Sequence, residues 1–270
     1  MGNFRIGKFK IDYKIDKSEL KNKIENPTFV EGLLGVGQVG LIASDHLLEE
    51  MNFEKVANVY SSHFSEPFQS ENTPGVVYSE DGTAKLNSNG IFYDSSEDIF
   101  LYKGYYQGDT CEFYYLHANR MIDFCCDFKV EELYTLGGLG VGEEKEEPQT
   151  KAVITKKSQE DYVSPHAEVL RGKENRPGVT GLSGLLIGLA DKNNKQGICL
   201  LGETHGAYPD PKAAKSVLAS LSALINLKID LSGLDDVAEE IKKKREKFKR
   251  RMQSLKRRGK EESGDKRYIG

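Results

Sequence analysis

The chain has 270 residues, 38% hydrophobic and 30% charged, which allows one large buried core beneath a highly charged surface. A net charge of −4 gives no global pull toward nucleic acid, and no apolar run approaches the ~20 residues that cross a bilayer. Met1-Gly-Asn-Phe-Arg5 is no apolar leader, and Ile6 stands where N-myristoylation needs Ser or Thr. The four cysteines, lacking a C-x-x-C pair, read as reduced thiols of a cytoplasmic protein without a zinc site.

Residues 1–27 alternate weakly and read as an edge strand or an arm, closed by Asn26-Pro27. Thr28 to Leu34 is an apolar strand. Gly32, Gly35, Gly37 and Gly40 follow, then helical spacing over 38–51 and a second strand over 54–60. This is an α/β crossover. Gly35-Val-Gly37-Gln-Val-Gly40 has the letters of a dinucleotide turn, but no carboxylate ends the next strand, and no Lys-Ser/Thr follows for a phosphate loop. A tight turn that packs a helix on a sheet is the simpler reading. His63, in the loop after that second strand, reads as a packing residue before a catalyst.

A hairpin is predicted from Gly75-Val-Val-Tyr78 and Thr83-Ala-Lys-Leu86, with Glu80-Asp-Gly82 as its turn. Strands follow at Gly90–Tyr93 and 98–103, then a helix over Cys111–Phe128 with His117 as a structural residue. Residues 131–136 form a strand, Gly137 to Gly142 a second Gly-rich turn, and Glu143 to Gln149 an exposed acidic stretch. Ala152–Thr155 is a strand, and Ser158–Arg171 a helix interrupted by Pro165.

Gly181, Gly184 and Gly188 space a helix that can approach the sheet closely. Ser183 lacks the second Gly of a nucleophile elbow, since Leu185 stands there, and is better placed to cap the helix. Residues 197–202 form a buried strand. Asp210-Pro211 starts the next helix as N-cap and first-turn Pro. Glu203, His205, His63 and Asp210 are the groups an enzyme would gather at the sheet's carboxyl edge.

The C-terminal segment changes character. Leu234, Ile241, Phe248 and Leu255 recur every seven residues, with Ala238, Arg245 and Met252 four after the first three, on a helix spanning 234–258 with a basic outer face. That stripe predicts packing on the body or on a neighbouring subunit. Nucleic-acid binding lacks the interleaved aromatic platform it needs. Residues 259–267 are wholly polar and read as a mobile leash.

Glu31-Gly-Leu-Leu-Gly-Val-Gly-Gln-Val-Gly40, Leu133-Tyr-Thr-Leu-Gly-Gly138, Gly181-Leu-Ser-Gly-Leu-Leu186, Leu200-Leu-Gly-Glu-Thr204 and Pro209-Asp-Pro211 occur in that order. Together, over about residues 28–245, they resemble the archaeal proteasome-assembly-chaperone family, related to the second eukaryotic assembly chaperone. The resemblance implies a three-layer α/β/α sandwich with a mostly parallel central sheet, like that of nucleoside phosphorylases without their catalytic residues. It implies a non-enzymatic homo-oligomer that binds proteasome α subunits through its C-terminal end, here Tyr268, Ile269 and Gly270, and needs no cofactor or metal. The family's terminal motif has Tyr penultimate, whereas Tyr268 is third from the end. Members also carry an ATP-grasp label, and the alternative is a nucleotide- or phosphate-binding enzyme of ATP-grasp or phosphorylase type using the Gly-rich strand-end loops. The expected organisation is a domain over 1–233, the basic helix 234–258, and a flexible tail 259–270.

Overall fold

A computed structural model describes residues 4–64, 76–78, 80–172 and 178–264, with backbone only for 249–250 and 253–264. In chain order the elements are β1 (Lys10–Tyr13), α1 (Lys17–Lys23), β2 (Thr28–Leu33), α2 (Val39–Glu50), β3 (Glu54–Tyr60), β4 (Val76–Tyr78), β5 (Ala84–Leu86), β6 (Asn89–Asp94) and β7 (Ile99–Gly104). They continue with α3 (Cys111–Asp127), β8 (Glu132–Gly140), β9 (Thr150–Ile154), α4 (Glu160–Val163), β10 (Glu168–Val169), α5 (Gly181–Lys192), β11 (Gln196–Thr204), α6 (Pro211–Leu224) and α7 (Gly233–Gly264).

Among the described residues, one nine-stranded sheet runs β1-β3-β6-β7-β2-β8-β11-β9-β10. Strands β7, β2, β8 and β11 pair in parallel. Strand β3 is antiparallel to β6, which is antiparallel to β7, so β3 also runs with them. These five co-oriented strands are the five expected from nearly unbroken apolar runs. Strands buried on both faces read that way. The remaining strands run against them and lie toward the edges, except β6 between β3 and β7.

Alternation along each strand builds two cores. Phe29, Leu33, Phe100 and Tyr102 point to one face, where they pack with Leu20, Phe113, Met121, Phe124, Leu182 and Leu186 of α1, α3 and α5. Val30, Leu101, Tyr134 and Leu136 point to the other, against Val39, Ala43, Leu47, Val217 and Leu218 of α2 and α6, joined by Leu234 of α7. The result is the expected α/β/α sandwich.

Local departures have physical causes. Helix α1 lies within the expected edge-strand region. Asp16 caps it by accepting from Ser18 N and Glu19 N, and one leucine, Leu20, anchors it. The expected turn at Gly137 is strand as far as Gly140, because Gly138 pairs with Gly202 and Gly140 with Thr204. The expected helix over Ser158–Arg171 shrinks to a 3₁₀ turn and α4, then gives way to β10 beyond Pro165. Gly184 and Gly188 do not bring α5 onto the sheet: Gly184 sits against Val179 of its own lead-in loop, and Gly188 faces open space. Helix α7 continues to Gly264, six residues past the expected end at 258, through strong helix formers such as Lys and Glu.

Candidate functional site

Ligands of open α/β sheets collect beyond the carboxyl ends of the parallel strands. Here those ends are packed with the protein's own atoms. Gln38, at φ 54°, and Gly37, at φ 61°, turn the chain from β2 into α2. A methyl on Gly37 would strike Thr204 Oγ1, and one on Gly40 would strike the carbonyl oxygen of Leu136. The glycines therefore let the turn and α2 lie directly on β8 and β11. Thr204 Oγ1 donates to Asp210 Oδ2 at 2.7 Å, and Asp210 N donates to Gly37 O at 2.9 Å. Asp210 also caps α6 through Ala213 N at 3.1 Å. This knot ties the glycine turn after β2 to the end of β11 and the start of α6.

The four groups an enzyme would gather are not brought together. His63 lies after β3, five strand spacings from β11, or ~24 Å. Its ring stacks on Phe113 at 4.6 Å, and its Nδ1 lies 2.9 Å from Asp109 Oδ1. Glu203 faces Lys151 at 3.4 Å, Asp210 is a helix cap, and His205 stacks on Tyr208 at 4.9 Å. Ser183 is not the cap of α5, whose N-cap is Thr180. It donates to Glu31 Oε2 at 2.8 Å and has no imidazole there to activate it. Among the described residues no group of three or more His, Cys, Asp and Glu side chains is placed to hold a metal.

Two polar features were not read from the sequence. The first is Glu31, fully buried on β2, with Oε1 accepting from Leu33 N at 3.3 Å. Burial pushes its carboxyl up to about 7, against the opposing pull of the Ser183 and Leu33 hydrogen bonds. It shares a face with Phe29 and Leu33, so the period of two already placed an acid in the core. Beside it, His117 Nδ1 donates to Gln107 O at 2.7 Å, so Nε2 accepts from Tyr102 OH at 2.7 Å. Asn89 Nδ2 donates to that phenol at 2.8 Å. Burial lowers His117 to about 4, so the ring is neutral, in the structural role expected.

The second is the seat of α7. Leu234 enters the core, Lys215 Nζ pairs with Asp235 at 2.5 Å, and His46 Nε2 meets Asp230 O at 2.6 Å. Three turns on, Arg245 lies over the Tyr208 ring at 3.4 Å and forks onto both oxygens of Glu144, at 3.2 and 3.3 Å. Tyr208 OH donates to Glu144 at 3.0 Å. Leu234, Ala238, Ile241 and Arg245 thus face the body, whereas Phe248 and Met252 are exposed. Arg245 is the heptad's out-of-place polar residue, and that mismatch was the available signal. Tyr268, Ile269 and Gly270 lie outside the described residues.

Fold and site together define an α/β/α protein whose strand-end loops seat a long basic helix. The chain belongs to the PAC2 family, matched over residues 29–249. It is 32% identical over 252 residues to the uncharacterized protein MJ1210 of Methanocaldococcus jannaschii, covering 92% of this chain and 93% of that one. Among solved structures it is similar to Pyrococcus furiosus PbaB, an archaeal proteasome activator, at 30% identity and a TM-score of 0.77 over 90% of this chain and 99% of that one. It shares its fold with P. furiosus PbaA, an archaeal homolog of proteasome-assembly chaperone, at 21% identity and a TM-score of 0.71 over 96% and 99% of the two chains. The ATP-grasp label finds no support among these relatives. No helix among the described residues is long and apolar enough to cross a membrane.

Proposed function

We propose that this protein is a non-enzymatic, proteasome-assembly-chaperone-like binding protein of the cytoplasm. It works as a homo-oligomer and engages proteasome α subunits, partly through Tyr268, Ile269 and Gly270. The observation that carries this reading is the seating of α7. Leu234 fixes the start of α7 in the core beside α2 and α6, Arg245 fixes it further on against the loops after β8 and β11, and Phe248 and Met252 beyond them are exposed. From Arg245 to Gly264 the helix is ~28 Å long at 1.5 Å per residue. Beyond it, after the polar Asp265-Lys-Arg267, stand one aromatic and one aliphatic side chain, Tyr268 and Ile269. Such a pair suits a pocket on another protein, and several copies in one oligomer would bind with avidity. The similarity to an archaeal proteasome activator supports the same class of partner.

The test is surface plasmon resonance on immobilised proteasome α-subunit rings, with the full chain and with a chain lacking 268–270. The full chain should bind, and the shortened one should bind at least tenfold more weakly, ~1.4 kcal/mol. Equal affinities would remove the role of the tail. No binding by the full chain would overturn the function.

A further inference from the structure

Two apolar surfaces of this chain are uncovered among the described residues. One is the hairpin β4–β5. Its register sets Val76 opposite Leu86 and Tyr78 opposite Ala84, so these four share a face, and Val77 and Lys85 share the other. Tyr78 is 84% exposed, Val76 55% and Leu86 46%. A lone two-stranded hairpin is marginal in water and needs its apolar face covered. Its tip is acidic, with Glu80 and Asp81 exposed. The other surface is α7 beyond its seat. Phe248 is 66% exposed, and Met252 stands one turn later on the same side. Between Ile241 and Arg258 the sequence has eleven basic residues and one acidic.

The two surfaces complement each other in chemistry and size. One is an apolar patch beside acidic residues, the other an apolar patch flanked by basic ones, and each extends about one helical turn. They belong to opposite halves of the molecule. The hairpin connects β3 to β6, whereas α7 is seated at the ends of β8 and β11. Strands β6 and β11 are four spacings apart, ~19 Å. A second copy therefore supplies the complement more directly than the chain's own helix.

We propose that the apolar face of the β4–β5 hairpin packs on Phe248 and Met252 of α7 in a neighbouring copy, with Glu80 and Asp81 against the basic flank of that helix. This rests on the reading of the protein as a homo-oligomer and names the contact that builds it. The contact is heterologous: each copy gives its hairpin on one side and its helix on the other, so a closed ring forms if the rotation permits.

The experiment is light scattering of the full chain, of Tyr78→Asp and of Phe248→Asp, with circular-dichroism melting to show that each variant is folded. The wild type should be oligomeric, and each variant alone should fall to the 30.2 kDa of one chain. An equimolar mixture should recover a dimer, because the intact hairpin of Phe248→Asp meets the intact helix of Tyr78→Asp. Reversing the acidic tip with Glu80→Lys and Asp81→Lys together should also dissociate the assembly. If the wild type is oligomeric and Tyr78→Asp keeps its mass, the hairpin contact is wrong while the oligomer stands. If both variants are monomers and their mixture stays monomeric, the heterologous pairing is wrong. A monomeric wild type would overturn the oligomer itself.

Discussion

Replacing Glu31 by Gln isolates the buried carboxyl with almost no change of shape. The amide can keep both described contacts: Oε1 accepts from Leu33 N and Nε2 donates to Ser183 Oγ. The change therefore removes a charge without leaving a cavity. In the folded protein the carboxyl is raised from 4.5 to about 7 by burial. A raised acid holds its proton more tightly in the folded than in the unfolded chain. Stability must then fall as pH rises from 4.5 to 7, with the full loss above 7 and none below 4.5. At 1.36 kcal/mol per pH unit this amounts to ~3 kcal/mol, most of which lies between about pH 5 and about pH 8. Urea unfolding of both proteins across that range is the assay. The advantage of the Gln variant over wild type should grow by ~2–3 kcal/mol from the acid end to the alkaline end. A difference that stays flat within ~0.5 kcal/mol would refute the assignment of a raised, buried acid on β2.

Gly40→Ala should lower stability by ~3 kcal/mol in the same unfolding assay, because the new methyl meets the Leu136 carbonyl, a backbone atom that cannot swing away. Gly188→Ala on α5, where a methyl meets nothing, should be neutral or stabilising by up to ~1 kcal/mol through helix propensity. Arg245→Ala should cost only ~0.5–1.5 kcal/mol of global stability, since its pair with Glu144 is largely exposed. It should nonetheless speed amide exchange in α7 around residues 241–252, as read by mass spectrometry.

The sequence carried the central sheet clearly because β2, β3, β7, β8 and β11 each bury side chains on one or both faces in nearly unbroken apolar runs. It carried α3 through a regular apolar stripe and α6 through its Asp210 cap and Pro211. What escaped is stabilised by single residues. Helix α1 depends on Asp16 and Leu20, and β10 depends on pairing with β9 across a long separation that no local pattern encodes. Of the candidate site, the helix was legible and its latch was not. Arg245 reads as a flaw in a heptad until Tyr208 and Glu144, from two loops far away in sequence, are placed beside it. Glu31 escaped for a similar reason. Its face was predictable, but its Ser183 partner lies 152 residues away.

The glycine loops show why the same letters support opposite readings. A backbone without Cβ is required wherever another group must come within van der Waals contact of the chain, and the requirement is blind to what that group is. In a nucleotide site the visitor is a phosphate. Here the visitors are a carbonyl of β8 at Gly40 and the Thr204 side chain of β11 at Gly37. The distinguishing signal lies outside the motif, in the missing carboxylate after β3 and in Asp210, whose two oxygens are already engaged by Thr204 and the α6 backbone. Glu144 and Tyr208, on the loops after β8 and β11, hold Arg245, so the part of an α/β sheet that elsewhere grips a substrate here seats a helix.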